Sequence, residues 1–177
     1  MNKTALLLCK QITAISLLLC GTAHAEGGVT EAGLKAALVF NFAGYTGWPV
    51  DGRDHFSICV FNESAMFDAM KSLERKEIGG VRVSVIRADE KYPLTDCRII
   101  YVGKTGQNSF TKIDKQPLNN ASVLIVTDSV DLPAADFMIQ LQTENDHLGF
   151  IVNLKTVKAA GLTISSKVLR LAKAVLQ

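Results

Sequence analysis

Short apolar runs rich in β-branched residues alternate along this chain with segments that carry their apolar residues at helical spacing, and that alternation leaves few folds open. Phe56–Phe61 and residues 97–102 and 122–127 read as strands. The run at 97–102 has almost no polar interruption, as in a strand covered on both faces of a sheet. Between the first two of these runs, residues 64–76 place Met66, Phe67, Met70 and Leu73 on one helical face. After the Gly79-Gly80 break, Val81, Val83 and Val85 alternate with polar residues, the pattern of a half-buried strand at a sheet edge. Upstream, Leu34, Ala37, Leu38, Phe42 and Tyr45 give residues 29–45 a helix with Thr30 as its cap, closed by Gly47-Trp48-Pro49. Downstream, a turn over 103–106 and a polar helix lead to Pro117, and two strands at 137–142 and 148–153 are joined by the polar turn 143–147. A helical stretch from Lys155 stops at Gly161, and Ser165 or Ser166 caps a last helix bearing Val168, Leu171, Ala172 and Val175. Strands interleaved with helices build βαβ units. The sequence therefore predicts an α/β, single-domain, three-layer sandwich, a mostly parallel sheet flanked by helices with a C-terminal antiparallel hairpin.

The first 25 residues stand apart from that pattern. Lys3 and Lys10 precede or flank an apolar run from Ile12 to Cys20, and Ala23-His24-Ala25 offers the small residues that a signal peptidase reads. The chain is expected to be exported with cleavage after Ala25, the run being too short to span a bilayer. A lipoprotein anchored through Cys20 would need a small residue where Leu19 stands. Taking 25 residues from 177 leaves 152, a usual length for one domain spanning 26–177.

Export changes two inventories. Of the 19 basic residues, two leave with the leader, so the mature chain sets 17 against 17 acidic residues. A neutral balance without a basic cluster argues against nucleic acid and against an anionic membrane as the main partner. Cys9 and Cys20 also leave, and Cys59 and Cys97 remain in a compartment where disulfides persist. The compartment favours a bridge between them, with two buried thiols as the other reading.

Catalytic equipment is sparse. Gly103-Lys104-Thr105 follows a strand as a phosphate loop would, but Arg98 occupies the position where such a loop requires its first glycine. The mature chain has two histidines, His55 and His147, far apart in sequence, and neither a nucleophile elbow nor a zinc-binding His-Glu-x-x-His helix. No catalytic residue, metal ligand or cofactor is therefore assigned. Asp128, Asp131 and Asp136 cluster after a strand, where carboxylates can bind Mg²⁺, although a capped loop around Pro133 explains them as well. Trp48 serves either as a core plug or as an interface anchor. In an open α/β sheet the crevice beyond the strand carboxyl ends is the usual ligand site, which here falls near Asn62, Lys104 and Asp128.

Several separated blocks together resemble one family. Lys35-Ala36-Ala37 through Asn41-Phe42 to Trp48-Pro49, Cys59-Val60-Phe61, Asp96 to Tyr101, and Phe150 to Leu154 with Ala160 to Ser166 are similar to the YfiR family of periplasmic proteins. The resemblance implies a non-enzymatic regulator in the periplasm that binds the periplasmic domain of an inner-membrane YfiN-type diguanylate cyclase and holds it down, lowering cyclic di-GMP and biofilm formation. It further implies release through capture by a YfiB-type outer-membrane lipoprotein, and it strengthens the Cys59–Cys97 pairing. Relatives with a second cysteine pair are not matched in that respect. Trp48, Phe150 and Leu169 are expected on the partner-binding surface, with a homodimer possible and no direct membrane insertion. The rival reading is a small-molecule-binding domain using the carboxyl-end crevice.

Overall fold

The structure is a computed structural model that describes residues 30–145 and 147–177; the leader, with its cleavage point and Cys20, lies outside them. Helix α1 (Glu31–Tyr45) starts where the Thr30 hydroxyl accepts the Gly33 amide at 3.1 Å, which satisfies one of the orphan donors of its first turn. It runs into the two-residue strand β1 (Thr46–Gly47). Strand β2 (Phe56–Phe61) follows, buried along its whole length, and then α2 (Ser64–Lys71), whose last turn tightens into a 3-10 helix over Ser72–Arg75. A hairpin of β3 (Glu77–Ile78) and β4 (Val81–Ala88) turns on Gly79 and Gly80, both at the positive φ that glycine adopts without strain.

The remainder alternates as the sequence predicts. Strand β5 (Ile99–Val102), short helices α3 (Gln107–Phe110) and α4 (Gln116–Asn120), and β6 (Leu124–Thr127) lead to the antiparallel pair β7 (Ile139–Glu144) and β8 (His147–Asn153). Helix α5 (Leu154–Ala159), β9 (Thr163–Ile164), α6 (Ser166–Leu171) and β10 (Ala174–Leu176) complete the chain. One sheet holds eight strands in the order β10-β8-β7-β6-β5-β2-β4-β3, and β1 pairs with β9 in a second, small one. Strands β4, β2, β5, β6 and β7 are mutually parallel. Their order is the flavodoxin-like 2-1-3-4-5, so the connection direction reverses between β2 and β5.

Two cores result, one on each face. Ile58, Val60, Ile99, Tyr101, Leu124 and Val126 point toward the α1 and α2 side, where Val39, Phe42, Met66 and Met70 meet them. Cys59, Phe61, Ile100, Val102 and Ile125 point the other way, against Phe110 and Leu118. Both faces being covered explains why these strands lack polar residues, and it confirms the three-layer α/β class.

Three local expectations give way. Strand β4 is not the edge, because the hairpin at Gly79-Gly80 lays the two residues of β3 outside it. The last helix does not reach Val175: it ends at Leu171, Ala172 turns extended, and the Lys173 amide donates to Phe150 O, starting β10 in parallel register with β8. An unpaired edge of β8 competes for those backbone groups, and Val175 suits a strand better than a helix. Finally, Pro117 sits in the first turn of α4 instead of ending a longer helix, a position where its missing N–H costs nothing.

Candidate functional site

At the carboxyl ends of the parallel strands, the reversal between β2 and β5 opens the position where such sheets bind ligands. Here that position is partly closed by the protein itself. Asn62, at φ 49°, swings the chain out of β2, and Thr105 Oγ1 lies 2.5 Å from Asn62 O and 2.6 Å from Glu63 Oε2. Glu63 lies directly over Gly103, where a Cβ would stand 2.6 Å from its carboxylate, and Gly106 has room for none against Phe61 O. A carboxylate laid across the Gly103-Lys104-Thr105 turn repels a phosphate, which accounts physically for that turn as a connection.

Beside this plug, on the α1 face, two adjoining lobes of about 400 and 260 Å³ remain open, both lined by Glu31, Lys35, Lys104 and Asp128. Lys35 is the central group. Its ammonium lies 2.6 Å from Asp128 Oδ2 and 2.9 Å from Glu31 Oε1, with side-chain exposures of 13 % for Lys35 and 14 % for Asp128. Burial acts to lower the Lys35 pKa, but the hydrogen bonds to Asp128 and Glu31 outweigh it and hold the pKa above its ordinary value. Glu31 is correspondingly held below its usual range by Lys35 and by a hydrogen bond from the Thr143 hydroxyl at the end of β7. Burial, with the Asp128 charge beside it, pushes the Tyr101 phenol far above its ordinary pKa, so it stays protonated. Asp128 Oδ1 is buried without a hydrogen-bond partner.

Sequence reasoning places Asn62, Lys104 and Asp128 at this edge and misses Lys35, Glu31 and Tyr101. A signal is present: Glu31 and Lys35, one turn apart, are the only charges of α1, and no further charge follows before Asp51. A mostly buried cation whose partner on the same helix is exposed needs a buried anion or a route to water.

The other candidates disperse. Asp128 follows β6 at the carboxyl edge, whereas Asp136 precedes β7 at the opposite edge and faces Lys115 at 3.6 Å; Asp131 is exposed. Among the described residues no three His, Cys, Asp or Glu side chains gather as metal ligands. His55 is exposed beside Asp54, and His147 opens β8. Arg98 grips Asp51 with two hydrogen bonds of 2.7 and 2.6 Å.

Cys59 and Cys97 form a disulfide, joining β2 to the chain just before β5 with Cα atoms 5.9 Å apart, and neither residue has any exposure. Of the three residues expected on a partner-binding surface, Phe150 lies in the core at 6 % exposure with its ring edge on Phe42. Trp48 is half-buried, its indole N–H donating to Ala43 O and its ring edge-on to Phe56. Leu169 is half-buried against the same core. The outer face of α1 is more open: Leu34 and Tyr45 are 45 % and 47 % exposed, and Ala37 between them is exposed too. No helix among the described residues is long and apolar enough to cross a membrane.

Comparison with known proteins adds two findings. The family model described as YfiR/HmsC-like matches residues 32–173, from the first turn of α1 to the start of β10. Among solved structures, a conserved domain protein from Vibrio cholerae O1 biovar eltor strain N16961 is similar, with a TM-score of 0.56 at 11 % identity over 82 % of this chain. The match covers 60 % of that chain, and at this identity it speaks for the fold. No curated protein matches the sequence.

Proposed function

Because the chain belongs to the YfiR/HmsC-like family, we propose that it is an exported, periplasmic regulator that binds and restrains an inner-membrane diguanylate cyclase of the YfiN type. The family match across residues 32–173 carries this reading. In it the chain regulates and does not catalyse, acts as one domain after cleavage at Ala25, and is withdrawn from the cyclase by a YfiB-type lipoprotein.

Binding of this kind needs a patch of apolar surface with a polar rim, from which the partner can later be released. The outer stripe of α1 supplies one, with Leu34, Ala37 and Tyr45 at helical spacing and Asn41 polar among them. Trp48 adjoins the end of that helix, and Phe150 supports it from beneath through Phe42. Leu169, on the segment that packs from the C-terminal side, completes the expected set.

The test is genetic and then physical. Deleting the gene should raise cyclic di-GMP and surface attachment, and deleting the cyclase as well should return both to baseline. A Leu34→Glu, Tyr45→Glu double substitution, exposed and therefore compatible with folding, should release the purified cyclase periplasmic domain and reproduce the deletion. Unchanged cyclic di-GMP in the single deletion, measured where the cyclase is expressed, refutes the reading.

A further inference from the structure

We propose that the carboxyl-edge crevice between the first turn of α1 and the loops after β2, β5 and β6 binds a small apolar amino acid as its zwitterion, ammonium on Asp128 and carboxylate on Lys104. The inference rests on the crevice itself and holds whether or not the cyclase is the partner.

The two ends of the ligand answer to two unmet groups. Asp128 already gives Oδ2 to Lys35, and its buried Oδ1, although the Tyr101 phenol lies beside the carboxylate, completes no hydrogen bond of normal geometry. A buried acceptor left unpaired is costly, and more so when it is ionised. The terminal torsion of an aspartate is soft, so the carboxylate can turn its second oxygen toward a ligand N–H, with the flexible Lys35 ammonium following the first. Lys104 lines both lobes, is exposed, and makes no ion pair among the described residues. It is the cation of the crevice that is free to take a carboxylate.

The walls then select among ligands. Glu31, Glu63 and Asp128 face two lysines across the larger lobe, so an anion without an ammonium meets a net negative field. An amine without a carboxylate leaves Lys104 unanswered. Between the charges, Ala32, Ala65, Met66 and the Tyr101 ring give the lobe an apolar flank that suits a short hydrocarbon side chain. The volume of about 400 Å³ falls within the usual range for small-ligand sites, roughly 300–1,000 Å³.

Dialysed protein, titrated by amide NMR with L-leucine, 4-methylpentanoate and L-leucinol, separates these contributions, since the second lacks the ammonium and the third the carboxylate. L-leucine should give saturable shifts at Lys35, Lys104 and Asp128, and each truncated compound should bind about tenfold more weakly or worse. Lys104→Met should lose about tenfold in L-leucine affinity at an unchanged melting temperature, and Asp128→Asn should lose as much. Because Asp128→Asn also removes the partner of Lys35 and can unfold the chain, Lys104→Met alone decides in that case. Equal binding of the three compounds, absence of saturable shifts with L-leucine, or full affinity in Lys104→Met overturns the proposal. The titration uses the purified chain alone, so its failure leaves the cyclase reading standing, and the converse holds.

Discussion

The bridge between Cys59 and Cys97 spans 38 residues, and the chain-entropy relation converts that loop into about 4 kcal/mol of stabilisation through the unfolded state. For a domain of this size each kcal/mol moves the melting temperature by roughly 2–4 °C, so loss of the bridge should lower it by about 8–16 °C. With a urea slope near 2 kcal/mol/M the same loss moves the midpoint down by about 2 M. Neither cysteine has any solvent exposure, so a mild reductant should leave the native protein oxidised and act only through global unfolding. The assay is a pair of urea titrations monitored by circular dichroism. One uses the oxidised chain and the other the chain unfolded, reduced and refolded in reductant. Comparing one sequence in two covalent states avoids the cavity that Cys→Ala would add. Coincident titration curves would refute the entropic argument, and thiol labelling of both cysteines in native, unreduced protein would remove its premise.

The amino edge gives a second prediction. Burial acts to raise the Asp51 pKa, but hydrogen bonds from Arg98 and the Arg53 amide win and hold it below the ordinary value. A depressed folded pKa contributes stability that is present above the unfolded value, near 4, and is lost as pH falls through the folded one. Asp51→Asn should therefore cost about 2 kcal/mol at neutral pH, because it leaves the buried Arg98 without its anion, and the variant should show a flatter loss of stability on acidification below pH 4. An unchanged acid limb in chemical melts would sink the assignment. A third prediction concerns Asn153, which caps α5 by accepting the Lys155 and Thr156 amides while its side-chain amide donates to Ala134 O at 2.7 Å. Asn153→Ala should destabilise the chain by about 2 kcal/mol in the same melts, whereas a cost within 0.5 kcal/mol would contradict the capping role.

The central strands are legible because burial on both faces leaves an uninterrupted apolar run, and Phe56–Phe61 is buried at every position. The sheet order follows from the βαβ alternation once β2 and β5 are neighbours, which is also what brings Cys59 to Cys97. The last ten residues mislead for a physical reason. Val168, Leu171, Ala172 and Val175 fit a helical face, but the choice between helix and strand there depends on an open edge of β8, a long-range contact that no local period records. Likewise β3 contains two residues and β1 and β9 two each, too few to carry a period.

The site is half legible, and α1 shows why. Its inner face packs Ala36, Val39, Phe42 and Ala43 into the core, yet Leu34 and Tyr45 on its outer side are apolar as well. A helix with apolar residues on both faces gives periodicity little to separate core from surface, so the outer stripe emerges only when its neighbours are known. Lys35 is the one basic residue of the helix, and it lines the crevice next to Leu34. One helix of about 22 Å thus supplies the ammonium that occupies half of Asp128 and the side chains proposed to meet the partner. A ligand drawing on the same carboxylate must share it with Lys35 or loosen the first turn of α1. Any effect of that on partner affinity has to be returned in equal measure, since coupling free energies between two sites are reciprocal.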